Sequence, residues 1–268
     1  MSKQIGFIGC GKMAQAMIQG IITSKVVTPE QIIVSAKTED SLQHAEKAFE
    51  IRTTIHNNEV AAQADLLFLA VKPNLYGEII NEVRESVNDQ TIIITIAAGI
   101  SLDYVEKQFG KPMKVVRSMP NTPSLVGEGM SALCVSSSID EGDLFEVVQL
   151  FEGYGKVEVI EERLMDAIPA VSGSSPAYAY LFIEALADGA VLQGIPRNQA
   201  YKLAAQALLG AAKMVLETGK HPGELKDDVC TPGGATIEAI ATLEKQGFRA
   251  SVIAAMESCT EKSKELSS

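Results

Sequence analysis

Apolar residues follow two different patterns along this chain. In about the first 160 residues, short continuous apolar runs such as 65–71 and 91–96 are typical of parallel strands that are covered on both faces. The segments between these runs space their apolar residues as amphipathic helices do. Strands that alternate with helices predict an α/β domain with a doubly wound, Rossmann-type sheet.

The predicted elements of this domain follow one another closely. The strands are predicted at residues 5–8, 31–35, 52–55, 65–71, 91–96, 114–119, 132–136 and 156–160. The main helices are predicted at residues 12–24, 41–49, 75–87, 102–109 and 140–153. We therefore expect residues 1–160 to form a dinucleotide-binding domain.

The rest of the chain has a helical pattern without strands. After an interruption at 172–176, where Ser175 is the predicted N-cap, the helix at 177–193 carries only two charges, Glu184 and Asp188. The next helix, from Pro196 or Arg197 to residue 216, is also mostly apolar. Helices this apolar need burial almost all round, and a segment of about a hundred residues is too small to bury both. We therefore predict a helical domain at 161–268, giving an α/β plus all-α fold, and an obligate homodimer formed through these helices.

A glycine motif, Gly9-Cys10-Gly11-Lys12-Met13-Ala14, lies between the first strand and the first helix. In a G-x-G-x-x-A motif the first glycine makes a tight turn, and the second lets the backbone approach a pyrophosphate. The small third residue lets helix and strand pack closely. The helix N-terminus adds N–H donors and the positive end of its dipole. The motif predicts dinucleotide binding, with Cys10 simply a small residue that fits the turn.

The end of the second strand predicts which dinucleotide is bound. NAD enzymes place a carboxylate there for the ribose 2′-OH, whereas this chain has Ser35-Ala36-Lys37-Thr38. A hydroxyl and a cation suit a 2′-phosphate. We therefore expect NADPH, with NADH as the alternative if Lys37 is only a solvated surface lysine.

Other predicted strands also end in residues that suit a ligand. Their carboxyl ends carry Ala70-Val71-Lys72-Pro73, Ala97-Ala98-Gly99 and Met119-Pro120. Ligands bind at the carboxyl ends of strands in such sheets, and small residues let a flat ring lie against the backbone. Tight packing alone explains Ala97-Ala98-Gly99 equally well.

Composition and charge exclude several classes of function. The chain has 268 residues, with 23 Lys and Arg against 34 Asp and Glu, and a net charge of −11. Because nucleic-acid binding needs a basic patch, we expect no nucleic-acid partner, and any anion must be held by local donors. Charges interrupt the longest apolar tracts, so we expect no membrane span. The three histidines lack metal-ligand spacing, and no metal site is predicted.

The cysteines and the start of the chain predict a cellular compartment. The four cysteines are far apart and form no C-x-x-C pair, and the first strand begins almost at once. We expect reduced thiols in a cytoplasmic protein without a targeting segment.

A second glycine-rich turn, Pro232-Gly233-Gly234-Ala235-Thr236, opens a later helix. Two glycines before a helix free backbone N–H groups to hold a carboxylate, and Thr236 adds a hydroxyl. The alternative is a glycine-rich helix start without a ligand. No Ser-His-Asp or Cys-His set is evident, and hydride transfer needs none because the cofactor carries the reaction.

Along nearly its full length the chain resembles the pyrroline-5-carboxylate reductases. The resemblance is carried, in order, by residues 6–14, 70–73, 97–99, 117–123, 172–178, 185–189, 206–210, 221–227 and 232–236 followed by Ala239. Two departures are Ser175, where the family often has glycine, and Ser124, where it often has alanine.

The resemblance implies reduction of 1-pyrroline-5-carboxylate to L-proline with NADPH or NADH, the last step of proline biosynthesis. It also implies a helical domain that interlocks with a partner subunit, and in some members an assembly of dimers into decamers. We predict Thr236 as the catalytic residue, because its hydroxyl could hydrogen-bond the imine nitrogen. The predicted substrate-binding residues are Met119, Ser174, Val229, Gly234, Ala235 and Thr236. The predicted cofactor-binding residues are Gly9, Cys10, Gly11, Lys12, Met13, Ser35, Lys37, Asn57, Ala70, Val71, Lys72, Pro73, Ala97, Ala98, Gly99 and Pro120.

Two alternative functions share parts of this pattern. A β-hydroxyacid dehydrogenase has the same two-domain plan, but it uses a lysine one turn after an Asn, and the helix at 177–193 contains neither. A redox-sensing protein would bind NADPH without turnover, and the Gly233-Gly234-Ala235-Thr236 turn counts against it.

Overall fold

The computed structural model describes residues 3–265, which form two compact units. The larger unit runs to Ser174 and includes the residues from Cys259 onward, and the smaller unit is Ser175–Ser258. The larger unit extends past residue 160 partly because Arg117 pairs with Glu162 and Asp166. The functional division at 160/161 remains a prediction.

The larger unit contains one eight-stranded sheet. Its strands are β1 (Ile5–Ile8), β2 (Ile32–Ser35), β3 (Arg52–Thr54), β4 (Leu66–Leu69), β5 (Ile92–Thr95), β6 (Lys114–Met119), β7 (Gly129–Val135) and β8 (Gly155–Val159). The spatial order is β3-β2-β1-β4-β5-β6-β7-β8, and the ladders are parallel except for the antiparallel pair β6–β7. In register, Phe7 lies opposite Val34 on one side and Phe68 on the other. The doubly wound fold class is confirmed, with a crevice expected between β1 and β4, where the strand order reverses.

The larger unit also contains helices and two apolar clusters of buried residues, to which the strands contribute. The helices are α1 (Lys12–Thr23), α2 (Glu39–Phe49), α3 (Asn57–Gln63), α4 (Tyr76–Val83), α5 (Leu102–Phe109) and α6 (Glu141–Glu152). Ser101 is the N-cap of α5, and its hydroxyl accepts a hydrogen bond from the Tyr104 N–H at 3.1 Å. The Phe7 and Phe68 rings stack at 4.4 Å in the first cluster.

Two predicted elements differ from the structure. The run predicted as a strand at 65–71 pairs only through Leu69, so Ala70 and Val71 form a loop at the carboxyl edge. The segment predicted as helical from Glu161 to Val171 is a 3-10 turn, Glu162–Ala167, followed by a π-helical turn, Pro169–Gly173. Only Ser174 separates the π turn from the next helix, which begins at Ser175, so Ser175 is the first helical residue and not, as predicted, the residue before the helix.

The smaller unit is entirely helical in its described elements. It contains α7 (Ser175–Leu192), α8 (Arg197–Thr218), α9 (Pro222–Val229) and α10 (Ala235–Lys245), together with most of α11 (Phe248–Glu265). The polar end of α11 is helical through Glu265, and residues 266–268 lie outside the described residues. None of the helices within residues 3–265 combines the length and apolar character needed to cross a membrane.

Very little of the smaller unit is buried within one chain. In α7 and α8 the buried residues are Ala187, Ala200 and Ala204. Large apolar side chains are exposed on both helices, including Leu181 at 68 % and Leu203 at 61 %. Such a surface is typical of a protein–protein interface.

Candidate active site

Two adjoining grooves lie at the carboxyl edge of the sheet in the larger unit. The first groove, of about 810 Å³, is lined by the ends of β1 and β2 and by one side of α4. The second groove, of about 430 Å³, is lined by the start of α1 and by the loops after β4, β5 and β6. Both grooves share Gly11 and Val71, so the glycine turn lies where they meet.

The glycine turn has the backbone geometry that its motif predicts. Gly9 has φ +101°, and a Cβ there would lie 2.4 Å from the Ala70 carbonyl oxygen. Its N–H donates to the Ser35 carbonyl at 2.9 Å, which joins the turn to the end of β2. Only glycine fits this position, because its conformation is strained for other residues and the space is already filled.

Gly11 has a different role in the same turn. It is the N-cap of α1, no side chain caps that helix end, and a Cβ at Gly11 would meet no heavy atom within 4 Å. Open space above uncapped N–H groups is what a pyrophosphate requires. The residues of the turn therefore fit a dinucleotide.

Cys10, between the two glycines, is a small buried residue that takes part in the turn's own hydrogen bonds. Its carbonyl accepts a hydrogen bond from Gln15 Nε2 at 3.0 Å. Burial raises the pKa of the Cys10 thiol, which keeps the thiol protonated and unreactive.

The end of β2 carries a chain of side-chain hydrogen bonds that reaches α4. Ser35, which is fully buried, donates from Oγ to Asn57 Oδ1 at 2.7 Å. Asn57 in turn donates from Nδ2 to Glu82 Oε2 at 2.9 Å. Lys37 is exposed and forms no salt bridge with any residue in the described part of the chain. The first groove is therefore lined both by the Lys37 ammonium group, which has no salt bridge within residues 3–265, and by the Glu82 carboxylate, which accepts the bond from Asn57.

The loop after β6 forms one wall of the second groove and is held by Asn121. Its Nδ2 donates to the Ser172 carbonyl at 3.0 Å, and its Oδ1 accepts from the Met130 N–H at 2.9 Å. These two bonds fix Met119 and Pro120 next to the loop after β5, where Ala97 and Ala98 line the same groove.

Most of the residues predicted to bind the cofactor line one of the two grooves. The exception is Gly99, which lines a much smaller cavity with Arg117 and Asp166. Arg117 is 6 % exposed, and its Nη2 donates to Asp166 at 2.6 Å. Ser174 also lies in the larger unit, where its hydroxyl accepts a bond from the Cys259 thiol at 3.4 Å.

The second glycine turn belongs to the smaller unit. Gly233 has φ +69°, and Gly234 is the uncapped N-cap of α10. The Gly234 N–H already donates to the Thr231 carbonyl at 3.0 Å, so this residue shapes the turn and does not offer a free donor. The Thr236 hydroxyl is exposed and makes no hydrogen bond within residues 3–265. Val229, which is 63 % exposed, ends α9.

Sequence reasoning missed Glu82 and the role of Asn121. Glu82 lies on α4, far along the chain from β2, and only the packing of α4 beside α3 brings it to Asn57. Both ends of the Asn121 amide are hydrogen-bonded to residues outside its loop, and the sequence alone does not show these partners.

Comparison with known proteins gives consistent matches over the whole chain. Residues 162–266 match a family model described as pyrroline-5-carboxylate reductase dimerisation, and residues 4–99 match one described as NADP oxidoreductase, coenzyme F420-dependent. A pyrroline-5-carboxylate reductase of Escherichia coli strain K12 is 48 % identical, covering 100 % of this chain and 99 % of the relative.

Solved structures give the same result. A pyrroline-5-carboxylate reductase from Coxiella burnetii has a TM-score of 0.92 and 33 % identity, covering 100 % of both chains. The pyrroline carboxylate reductase of Plasmodium falciparum with NADP bound has a TM-score of 0.90 and 32 % identity, covering 100 % of this chain and 99 % of that one.

Proposed function

The chain belongs to the pyrroline-5-carboxylate reductase family, and we propose the residues with which it reduces 1-pyrroline-5-carboxylate to L-proline using NADPH. It is an NAD(P)H-dependent oxidoreductase that acts on a C=N bond. The observation that carries the proposal is the open, uncapped N-terminus of α1 at Gly11, where the two grooves meet.

The first groove suits the adenosine half of the cofactor. The N–H groups at the start of α1 would hold the pyrophosphate, and Lys37 would pair with the 2′-phosphate. Ser35 supports this end indirectly, because its hydroxyl is bonded to Asn57.

The second groove suits the nicotinamide half. When bound there, NADPH would supply the hydride that reduces the imine carbon. The small residues Ala97 and Ala98 and the fixed Met119-Pro120 loop line this groove, and they would orient the ring and exclude water from it.

For the substrate we propose the turn at the start of α10. The N–H groups of Ala235 and Thr236 would hold the carboxylate, and the Thr236 hydroxyl would bond the imine nitrogen. An iminium can arrive already protonated from water, so the hydroxyl needs only to orient it. The support is that this hydroxyl makes no hydrogen bond within the described residues and that α10 begins without a side-chain cap.

A pair of variants tests the role of Thr236. Thr236→Ala should lower kcat by about 10² to 10³, since one hydrogen bond to the transition state is lost. Thr236→Ser retains the hydroxyl and should keep most of the activity. The measurement is the rate of L-proline formation, and unchanged turnover in Thr236→Ala would refute the assignment.

The chain forms a homo-oligomer, and we propose that its basic form is a dimer joined through α7 and α8. The exposed apolar side chains of these helices support this assignment. Assembly of such dimers into decamers is the larger alternative, which sedimentation would distinguish by mass.

We also propose a cytoplasmic location. Its support is that Cys10, Cys134, Cys230 and Cys259 are all free thiols in the structure, as is usual in a reducing compartment. Cell fractionation would test it.

A further inference from the structure

Tyr76 joins the ends of two neighbouring strands through its hydroxyl. The hydroxyl donates to the Leu69 carbonyl at 2.5 Å and accepts from the Ile96 N–H at 3.3 Å. Leu69 is the last residue of β4, and Ile96 follows Thr95, the last residue of β5 and the register partner of Leu69. The hydroxyl therefore lies where the ladder ends and the two strands separate.

The backbone on either side of this junction lines the second groove. The loop that follows Leu69, residues 70–72, forms one part of the lining, and residues 96–98 form another. Tyr76 itself is 0 % exposed and packs in the apolar cluster that contains Leu69 and Ala97. It can therefore influence a bound ring only through the backbone that it holds.

The chemistry of the phenol suits a permanent structural link. Burial raises the pKa of Tyr76 well above its ordinary value, so the hydroxyl keeps its proton and continues to donate to Leu69. Because the strand ladder has ended, a carbonyl and an N–H would lose this partner if the hydroxyl were absent. Buried backbone groups left unpaired tend to move until they find new partners.

We propose that Tyr76 is a positioning residue for the nicotinamide end of the cofactor site, where it fixes the separation of the loops 70–72 and 96–98. This inference rests on the proposed function, because it assumes that the second groove takes the nicotinamide. A small displacement of these loops would misplace the ring and slow hydride transfer.

Tyr154 provides a matched control. It is also 0 % exposed in the larger unit, but its hydroxyl has no hydrogen-bond partner among residues 3–265. Tyr154→Phe removes the same atom as Tyr76→Phe without breaking any hydrogen bond, so it should leave binding and turnover unchanged.

The test compares two ligands by calorimetry and then measures turnover. 2′,5′-ADP occupies only the adenosine end, and NADPH occupies both ends. Tyr76→Phe should bind 2′,5′-ADP as the wild type does, bind NADPH several-fold more weakly, and show a kcat lowered by about tenfold. The proposal would be overturned if Tyr76→Phe had the wild-type affinity for NADPH and the wild-type kcat. It would also be overturned if the variant lost affinity for both ligands equally.

A measurement on the wild type covers the case in which Tyr76→Phe does not fold. Amide hydrogen exchange at Ile96 should be slow and should slow further with NADPH but not with 2′,5′-ADP. Fast exchange at Ile96 would contradict the proposal. A wild type that binds NADPH without reducing the imine would contradict the proposed function alone, and the binding measurements would still decide the role of Tyr76.

Discussion

The carboxylate of Glu82 lines the same groove as Lys37, the residue that we propose for the 2′-phosphate. It accepts a hydrogen bond from Asn57 and lines the first groove together with Lys37. Its negative charge disfavours a phosphate and tolerates a 2′-hydroxyl. The balance between NADPH and NADH therefore depends on Lys37 and on the carboxylates that line the same groove, Glu39, Glu78 and Glu82, which act in the opposite direction.

Glu82→Gln should raise the preference for NADPH. In water, the repulsion between two unit charges in contact is about 1 kcal/mol. Removing the Glu82 charge should therefore raise the ratio of kcat/KM for NADPH to that for NADH about fivefold. Glu85→Gln makes the same change of charge at a side chain that is 88 % exposed and should leave the ratio unchanged. A ratio that is equal in wild type and Glu82→Gln would remove Glu82 from cofactor selection.

For single residues, the sequence predicted where they lie in the fold better than it predicted which hydrogen bonds their side chains form. Ser35 and Lys37 were expected at the end of β2, and both line the first groove. The sequence did not show that the Ser35 hydroxyl donates a hydrogen bond to Asn57. Side-chain partners depend on which helices pack together, and that information is not local in the sequence.

At the scale of elements, the β1–turn–α1 unit has two glycines with different requirements. Gly9 needs a positive φ and lacks space for a Cβ, whereas Gly11 has ordinary backbone angles and open space above it. Gly9 is therefore needed for the backbone conformation of the turn, and we expect Gly11 to be needed for pyrophosphate binding.

Substitution of the two glycines should separate stability from binding. Gly9→Ala should destabilise the protein by about 2 kcal/mol or more, since it adds backbone strain and a clash with the Ala70 carbonyl. Gly11→Ala should cost less stability but weaken NADPH binding at least tenfold, because its methyl group occupies the space of the pyrophosphate. Thermal unfolding and calorimetry would measure both effects, and a Gly11→Ala variant with wild-type affinity would contradict this division.

The end of β4 and the turn before α7 differ from their predictions for the same physical reason: an apolar pattern does not show how the backbone is hydrogen-bonded. The run 65–71 is apolar throughout, so periodicity does not show that pairing stops at Leu69. The bonds of the Tyr76 hydroxyl at that point became visible only in the folded chain. The π-helical turn before α7 is similarly hidden, because an apolar pattern near a proline does not distinguish it from an ordinary helix.

At the scale of the whole molecule, the apolar surface of α7 and α8 connects the sequence pattern to the assembly of the protein. The near absence of charge on α7 predicted burial against a second copy, and the exposed side chains in the single chain agree with that reasoning. The sequence does not contain the geometry of the partner, so it leaves the size of the assembly open.

Leu181→Glu should disrupt the proposed dimer. Leu181 is 68 % exposed on α7 in one chain, and a carboxylate buried without a partner in an interface is strongly unfavourable. Phe145→Glu changes a similarly exposed apolar side chain on α6, at 62 %, and should leave the dimer intact. Sedimentation of the two variants would decide, and an unchanged assembly in Leu181→Glu would argue against this interface.

The most direct test of the whole account is the oxidation of reduced nicotinamide in the presence of 1-pyrroline-5-carboxylate. We expect rapid loss of NADPH absorbance that depends on the imine and matches the L-proline formed, with a slower loss when NADH replaces NADPH. Rapid loss with NADH alone would keep the reaction but contradict the role of Lys37. NADPH that binds but is never oxidised with this imine would contradict the central claim.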